Sequence, residues 1–106
     1  MQKELKVDMD WRPPEGWLVE WWEYVACPVL EAHTIYYHMF PKFEFTKHGV
    51  HIRIRVMAIE DELALKLQFL LGDDRVRCKL NYGRWKAGIK DWNKLWKCKV
   101  GRDNEK

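Results

Sequence analysis

Apolar and polar residues alternate strictly in two stretches of this chain. Val50, Ile52, Ile54 and Val56 fall on one side of the run 50–56, and His51, Arg53 and Arg55 fall on the other. Near the start, Leu5, Val7, Met9 and Trp11 alternate with Lys6, Asp8 and Asp10. Strand side chains point to opposite faces in turn, so each run predicts a strand with one apolar face and one charged face. The period changes between 15 and 27, where Leu18, Trp21, Trp22 and Val25 recur at helical spacing. Pro13 and Pro14 break the first strand, Pro14 suits a helix's first turn, and Pro28 ends or kinks that helix. Thr34 to Phe40 is rich in β-branched and aromatic residues and predicts a second strand. Pro41 marks it as an edge strand, resumed by Lys42 to Phe45 before a turn at His48-Gly49. An acidic start at Ile59-Glu60-Asp61-Glu62 opens a second helix whose leucines and Phe69 predict deep burial, and Gly72 stops it. Asp73 or Asp74 then caps a short helix to about Trp85, with Val76, Leu80 and Tyr82 inward. Asn93 to Val100 predicts a last strand, and 101–106 a polar tail.

The order is β-α-β-β-α-β with an extra short helix before the last strand. It predicts one α+β domain over 1–100, RRM-like or ferredoxin-like. Right-handed crossovers give an antiparallel sheet of order 4-1-3-2 with both helices on one face. Strands one and three are then neighbours. The uncovered face would carry Asp8, Asp10, His51, Arg53, Arg55, Lys97 and Lys99.

Such a face has two readings. Carboxylates two apart on a strand are about 7 Å apart, close enough to share Mg²⁺ or Mn²⁺. A histidine and arginines on the next strand would meet phosphate, since guanidiniums present forked donors. Acidic residues opposite basic ones are also favourable cross-strand pairs on any solvated sheet. Spacing alone favours the salt-bridged surface over a site.

Composition narrows the class. The chain has 106 residues, 47% hydrophobic and 33% charged, which suits one globular domain and excludes a disordered one. A net charge of +3 permits a polyanionic partner without demanding one. Cys27, Cys78 and Cys98 show no metal or disulfide spacing and predict buried, reduced thiols. No apolar run approaches the ~20 residues of a membrane span, and the charged N-terminus lacks a signal peptide's apolar core, so a cytoplasmic protein is expected. Seven tryptophans are many for this length and predict an exposed aromatic surface.

Val7-Asp8-Met9-Asp10 resembles the first motif of the archaeo-eukaryotic primase superfamily, hydrophobic-Asp-hydrophobic-Asp on a strand. Thr46-Lys47-His48-Gly49-Val50-His51 resembles its second, a hydroxyl residue, a glycine-bearing turn and a histidine opening a strand. The resemblance implies a minimal primase-type nucleotidyltransferase core, metal-dependent if active, acting in replication or repair in an archaeal, viral or plasmid setting. Asp8, Asp10 and His51 would be catalytic, with Mg²⁺ or Mn²⁺ on Asp8 and Asp10. Thr46, Lys47, Arg53, Arg55, Lys97 and Lys99 would bind nucleoside triphosphate or single-stranded nucleic acid. The third, acidic motif finds only Asn81, a poor metal ligand, so a non-catalytic descendant competes with an active enzyme.

Two other expectations stand beside it. Tyr82 four residues before Lys86 is similar to the nucleophile region of rolling-circle (HUH-type) initiators. His48 and His51 are three apart, however, where that family's histidines are two apart. A non-enzymatic module would instead stack single-stranded bases on Tyr36, Tyr37, Phe40 and Trp96. Exposed indoles among Trp17, Trp21 and Trp22 would mark a homodimer or a replication-protein interface.

Overall fold

The computed structural model describes residues 2–95. Its sheet has three antiparallel strands, β1 (Gln2–Met9), β2 (Lys42–Phe45) and β3 (Val50–Met57), in the order β1-β3-β2. The alternating runs pair in register, Leu5 with Ile54, Val7 with Ile52 and Met9 with Val50. Leu5, Val7, Met9, Val50, Ile52, Ile54 and Val56 are buried in one core with Leu18, Trp21, Ala26, Leu30, Ala64 and Leu67 from the helices, whereas Trp11 lies past the end of β1 and is exposed. The Thr46 N–H donates to the Gly49 carbonyl at 2.9 Å, and the Gly49 N–H donates to Thr46 Oγ1 at 3.0 Å, closing the turn. A Cβ on Gly49 would lie 1.9 Å from the Met9 carbonyl oxygen, so only glycine lets the turn press on the end of β1.

The first helix runs further than Pro28 predicts. It comprises α1 (Trp17–Trp21), a π-helical turn (Trp22–Ala26) and α2 (Cys27–Ala32). Pro28 has no N–H to give the carbonyl four residues back, and the wider turn upstream accommodates it. The extra residue in that turn shifts the buried face. Leu18 and Trp21 are buried before it, Ala26 and Leu30 after it, and Val25 is left exposed. The helix ends in a Schellman-type turn, with the Ile35 N–H donating to the Leu30 carbonyl at 2.9 Å and Thr34 left-handed at φ 59°. The expected strand over 34–40 is therefore absent. Its start completes the helix end, and only Tyr37 bridges to β3, at Val56.

Helices α3 (Asp61–Leu70) and α4 (Arg75–Lys86) follow. Gly72 is left-handed at φ 103°, and the Asp74 carboxylate accepts from the Arg77 N–H at 3.0 Å as the cap of α4. The inward faces are not the expected ones. In α3, Ala64, Leu67 and Gln68 are buried, whereas Phe69 is 58% exposed. In α4, Arg77 and Asn81 are buried, while Val76, Leu80 and Tyr82 are 65%, 49% and 51% exposed.

The same polar residues correct the expected sheet order. Residues 93–95 form no strand, and the remainder of the expected strand, 96–100, lies outside the described residues. The edge of β1 that this strand would have used is bonded by side chains and loop backbone. The Lys6 N–H donates to Gln68 Oε1 (2.9 Å), and the Lys6 carbonyl accepts from Arg77 Nη1 (3.0 Å). The Asp8 N–H donates to Asp73 Oδ1 (2.7 Å), and the Asp8 carbonyl accepts from the Asp74 N–H (2.7 Å). The Glu4 carbonyl accepts from Asn93 Nδ2 at 3.3 Å. A buried strand edge must satisfy its peptide groups, and here a fourth strand is replaced by Gln68, Asp73, Arg77 and Asn93.

Candidate functional site

The face of the sheet turned away from the apolar core carries three rows of polar side chains. Register alone assembles them. Asp8 pairs with His51, and Glu44 pairs with His51 from the other side. Lys6 and Lys42 flank Arg53 in the next row, and Glu4 faces Arg55 beyond it. An acidic row around an imidazole therefore lies one step from a cationic row. Asp8 and His51 are each only 2% exposed, and His51 Nε2 lies 3.6 Å from Asp8 Oδ1. Arg53 Nη1 donates to Glu4 Oε1 at 3.3 Å, while Arg55 is exposed. Burial holds the Lys6 ammonium below its usual pKa, with Arg53 and Arg77 adding repulsion against the pull of Glu4.

Asp8 is held firmly. Both of its peptide groups bond to the α3–α4 connection, where Asp73 and Arg77 form a buried ion pair at 2.5 Å. Arg77 also donates to the Lys94 carbonyl (2.6 Å) and to Asn93 Oδ1 (2.8 Å). Burial pushes the Asp73 carboxyl up to about 6, against the pull of Arg77 and the Asp8 amide. Burial and the neighbouring Asp73 carboxylate push the Cys78 thiol up to about 12.

The expected site residues separate into groups. Asp8, His51, Arg53 and Arg55 share the sheet face. Asp10 follows the end of β1 and is exposed, so it does not share the buried setting of Asp8. The Thr46 hydroxyl is used to close the turn, and Lys47 is exposed beside it. Lys97 and Lys99 lie outside the described residues. Sequence reasoning missed Glu44, although it is two-periodic with Lys42 and reaches His51 through a tight turn. It also offered Asp73 or Asp74 as the cap of α4, where Asp74 serves and Asp73 instead pairs with Arg77, which it overlooked.

A resident divalent cation needs more donors than these residues bring together. Among the described residues no group of three or more His, Cys, Asp or Glu side chains converges on one point. Asp8 faces His51, and Asp10 stands apart in solvent, so the described set does not fit a metal centre.

Of the expected aromatics, Tyr36 and Phe40 are largely exposed and Tyr37 is partly buried, donating its hydroxyl to Glu31 Oε2 at 2.7 Å. Trp21 is buried and donates its indole N–H to the Leu71 carbonyl at 3.2 Å. Trp11 is exposed, packs edge-on to Trp17, and adjoins Arg12, which lies over the Phe45 ring at 5.3 Å. Cys27 and Cys78 are free and half-buried, and Cys98 lies outside the described residues. No helix among the described residues is long and apolar enough to cross a membrane.

Fold and site define a small α+β protein with a three-stranded antiparallel sheet, compatible with a ferredoxin-like arrangement. Comparison with protein-family models, curated proteins and solved structures returns no match.

Proposed function

We propose that this chain is a nucleic-acid-associated protein of replication or repair, built on a minimal primase-type core, whose polar sheet face meets the phosphates of a nucleotide or single strand. One observation supports this above the others. The register lays the Asp8–His51–Glu44 row beside the Lys6–Arg53–Lys42 row, with Arg55 beyond. Cations on adjacent strands at sheet spacing suit successive phosphates, and the buried Asp8–His51 pair fixes the register of the two strands that carry them. The expected ligand is single-stranded nucleic acid, with nucleoside triphosphate as the smaller alternative.

The test is anisotropy of labelled single-stranded oligonucleotide across a salt series. Arg53→Ala/Arg55→Ala should weaken binding uniformly across sequences and flatten the salt dependence by about one to two phosphate contacts. Absence of binding to oligonucleotide and to triphosphate would sink the proposal.

A further inference from the structure

Helix α4 is set into the fold with its polar side inward. Arg77 and Asn81 are buried, and Val76, Leu80 and Tyr82 are left to solvent. The cause is the edge of β1, whose peptide groups draw Arg77 in. The result is an apolar helix face with no counterpart among the described residues.

That face borders a groove. One wall is a stripe of α3, Glu62, Leu65, Lys66 and Phe69, and the other a stripe of α4, Arg75, Cys78, Lys79 and Tyr82. Both follow the spacing i, i+3, i+4, i+7, the line of side chains one helix offers to another. Each stripe is about 10 Å long at the rise of an α-helix, and the groove encloses a volume of about 750 Å³. By helical spacing Val76 and Leu80 extend the apolar surface past its α4 rim.

The charges around the groove are one-sided. Lys66, Arg75 and Lys79 stand against Glu62 alone. The apolar part of the lining is Leu65, Phe69, Cys78 and Tyr82, and the Cys78 thiol stays neutral because burial raises its pKa. Two facing stripes with apolar side chains between them suit a third helix, and an excess of cations at the rim selects its sign.

We propose that the α3–α4 groove docks an acidic amphipathic helix of a partner protein, of two to three turns, with its apolar side chains between Phe69 and Tyr82 and its carboxylates on Lys66, Arg75 and Lys79. The proposal uses none of the sheet-face residues and stands apart from the nucleic-acid reading.

The probe is a labelled synthetic helical peptide with leucine at i, i+3, i+4 and i+7 and glutamate on the flanks, set against a version with lysine for each glutamate. Anisotropy measures affinity, and amide NMR of the full chain locates the contact. The glutamate peptide should bind at least tenfold more tightly than the lysine peptide, shift resonances of α3 and α4, and weaken with salt. Lys66→Glu/Lys79→Glu should reverse the preference, and Phe69→Ser should weaken both peptides. All three positions are exposed, and circular dichroism checks that the variants fold. Equal affinity for the two peptides, shifts confined to the sheet face, or no binding at millimolar peptide would overturn the proposal. So would sedimentation showing that a second copy of this chain covers Phe69, or vesicle binding that Phe69→Ser abolishes while the glutamate peptide fails to compete.

Discussion

Arg77→Met should remove a large fraction of the stability of this fold at neutral pH. The guanidinium is buried against Asp73 and bonds the carbonyls of Lys6 and Lys94 and the Asn93 side chain. Methionine keeps much of the volume and deletes every donor. Breaking one side of a buried ion pair costs about 3–5 kcal/mol, because the remaining charge has lost its compensation. A domain of this size is stable by only about 5–15 kcal/mol in total. Urea unfolding followed by tryptophan fluorescence reads the change. With a slope of about 1.5 kcal/mol per molar, a loss of about 4 kcal/mol moves the midpoint down by roughly 2–3 M. Asp73→Asn leaves the opposite charge buried and should also be costly. The double variant should cost less than the sum of the singles by about 2–3 kcal/mol, since each single already breaks the shared pair. The loss from Arg77→Met should shrink near pH 5, where Asp73 takes up a proton instead of standing charged. A cost below about 1 kcal/mol, or additivity within about 0.5 kcal/mol, would refute the claim that this pair stands in for a fourth strand.

Further expectations concern single positions. With its folded pKa raised to about 6, Asp73 keeps its proton in the native state after the unfolded chain has lost it, so its contribution is greatest below about pH 4 and falls as pH rises through 6. The loss is at most about 3 kcal/mol, and Asp73→Asn should flatten that part of a stability–pH curve measured by denaturant unfolding. Gly49→Ala forces a methyl onto the Met9 carbonyl and should cost about 3 kcal/mol or more in thermal unfolding, with exchange protection lost first in β1. Thr34→Gly should raise stability by about 1 kcal/mol in the same assay, because Thr34 is β-branched in a left-handed conformation. Cys78, its thiol at about 12, should alkylate with iodoacetamide at pH 8 far more slowly in the folded protein than in urea, and equal rates would contradict its burial.

Sheet and site differ in how openly the chain announces them. The alternating runs 5–9 and 50–56 declare their strands, and a tight turn with Gly49 fixes the hairpin. Those local signals suffice to bring Asp8 opposite His51, because both strands share one apolar face. Asp74 and Gly72 likewise mark helix ends through chemistry confined to a few residues. What stayed hidden depends on distant partners. Nothing local says that Arg77 and Asn81 turn inward while Val76 and Leu80 turn out. That inversion follows from the open peptide edge of β1, some seventy positions earlier in the chain for the Lys6–Arg77 contact, 71 residues apart. The π-helical turn before Pro28 rotates the burial pattern by one residue, which no fixed period anticipates. The aromatic run 34–40 has strand-like composition, but its first residue is committed to ending a helix.

The side-chain edge of β1 also orders events in time. β1 is the earliest of the described elements to leave the ribosome, yet Asn93, the donor to its Glu4 carbonyl, follows 89 residues later. The strand that β1 pairs with begins at Val50, so until then its apolar side chains have no sheet to join. Contacts of such span form slowly, since a long loop must close before they are rewarded. During synthesis an unpaired amphipathic strand therefore waits in the open, with Leu5, Val7 and Met9 uncovered until β3 is made. Of the described strands, the first made is the last to be completed.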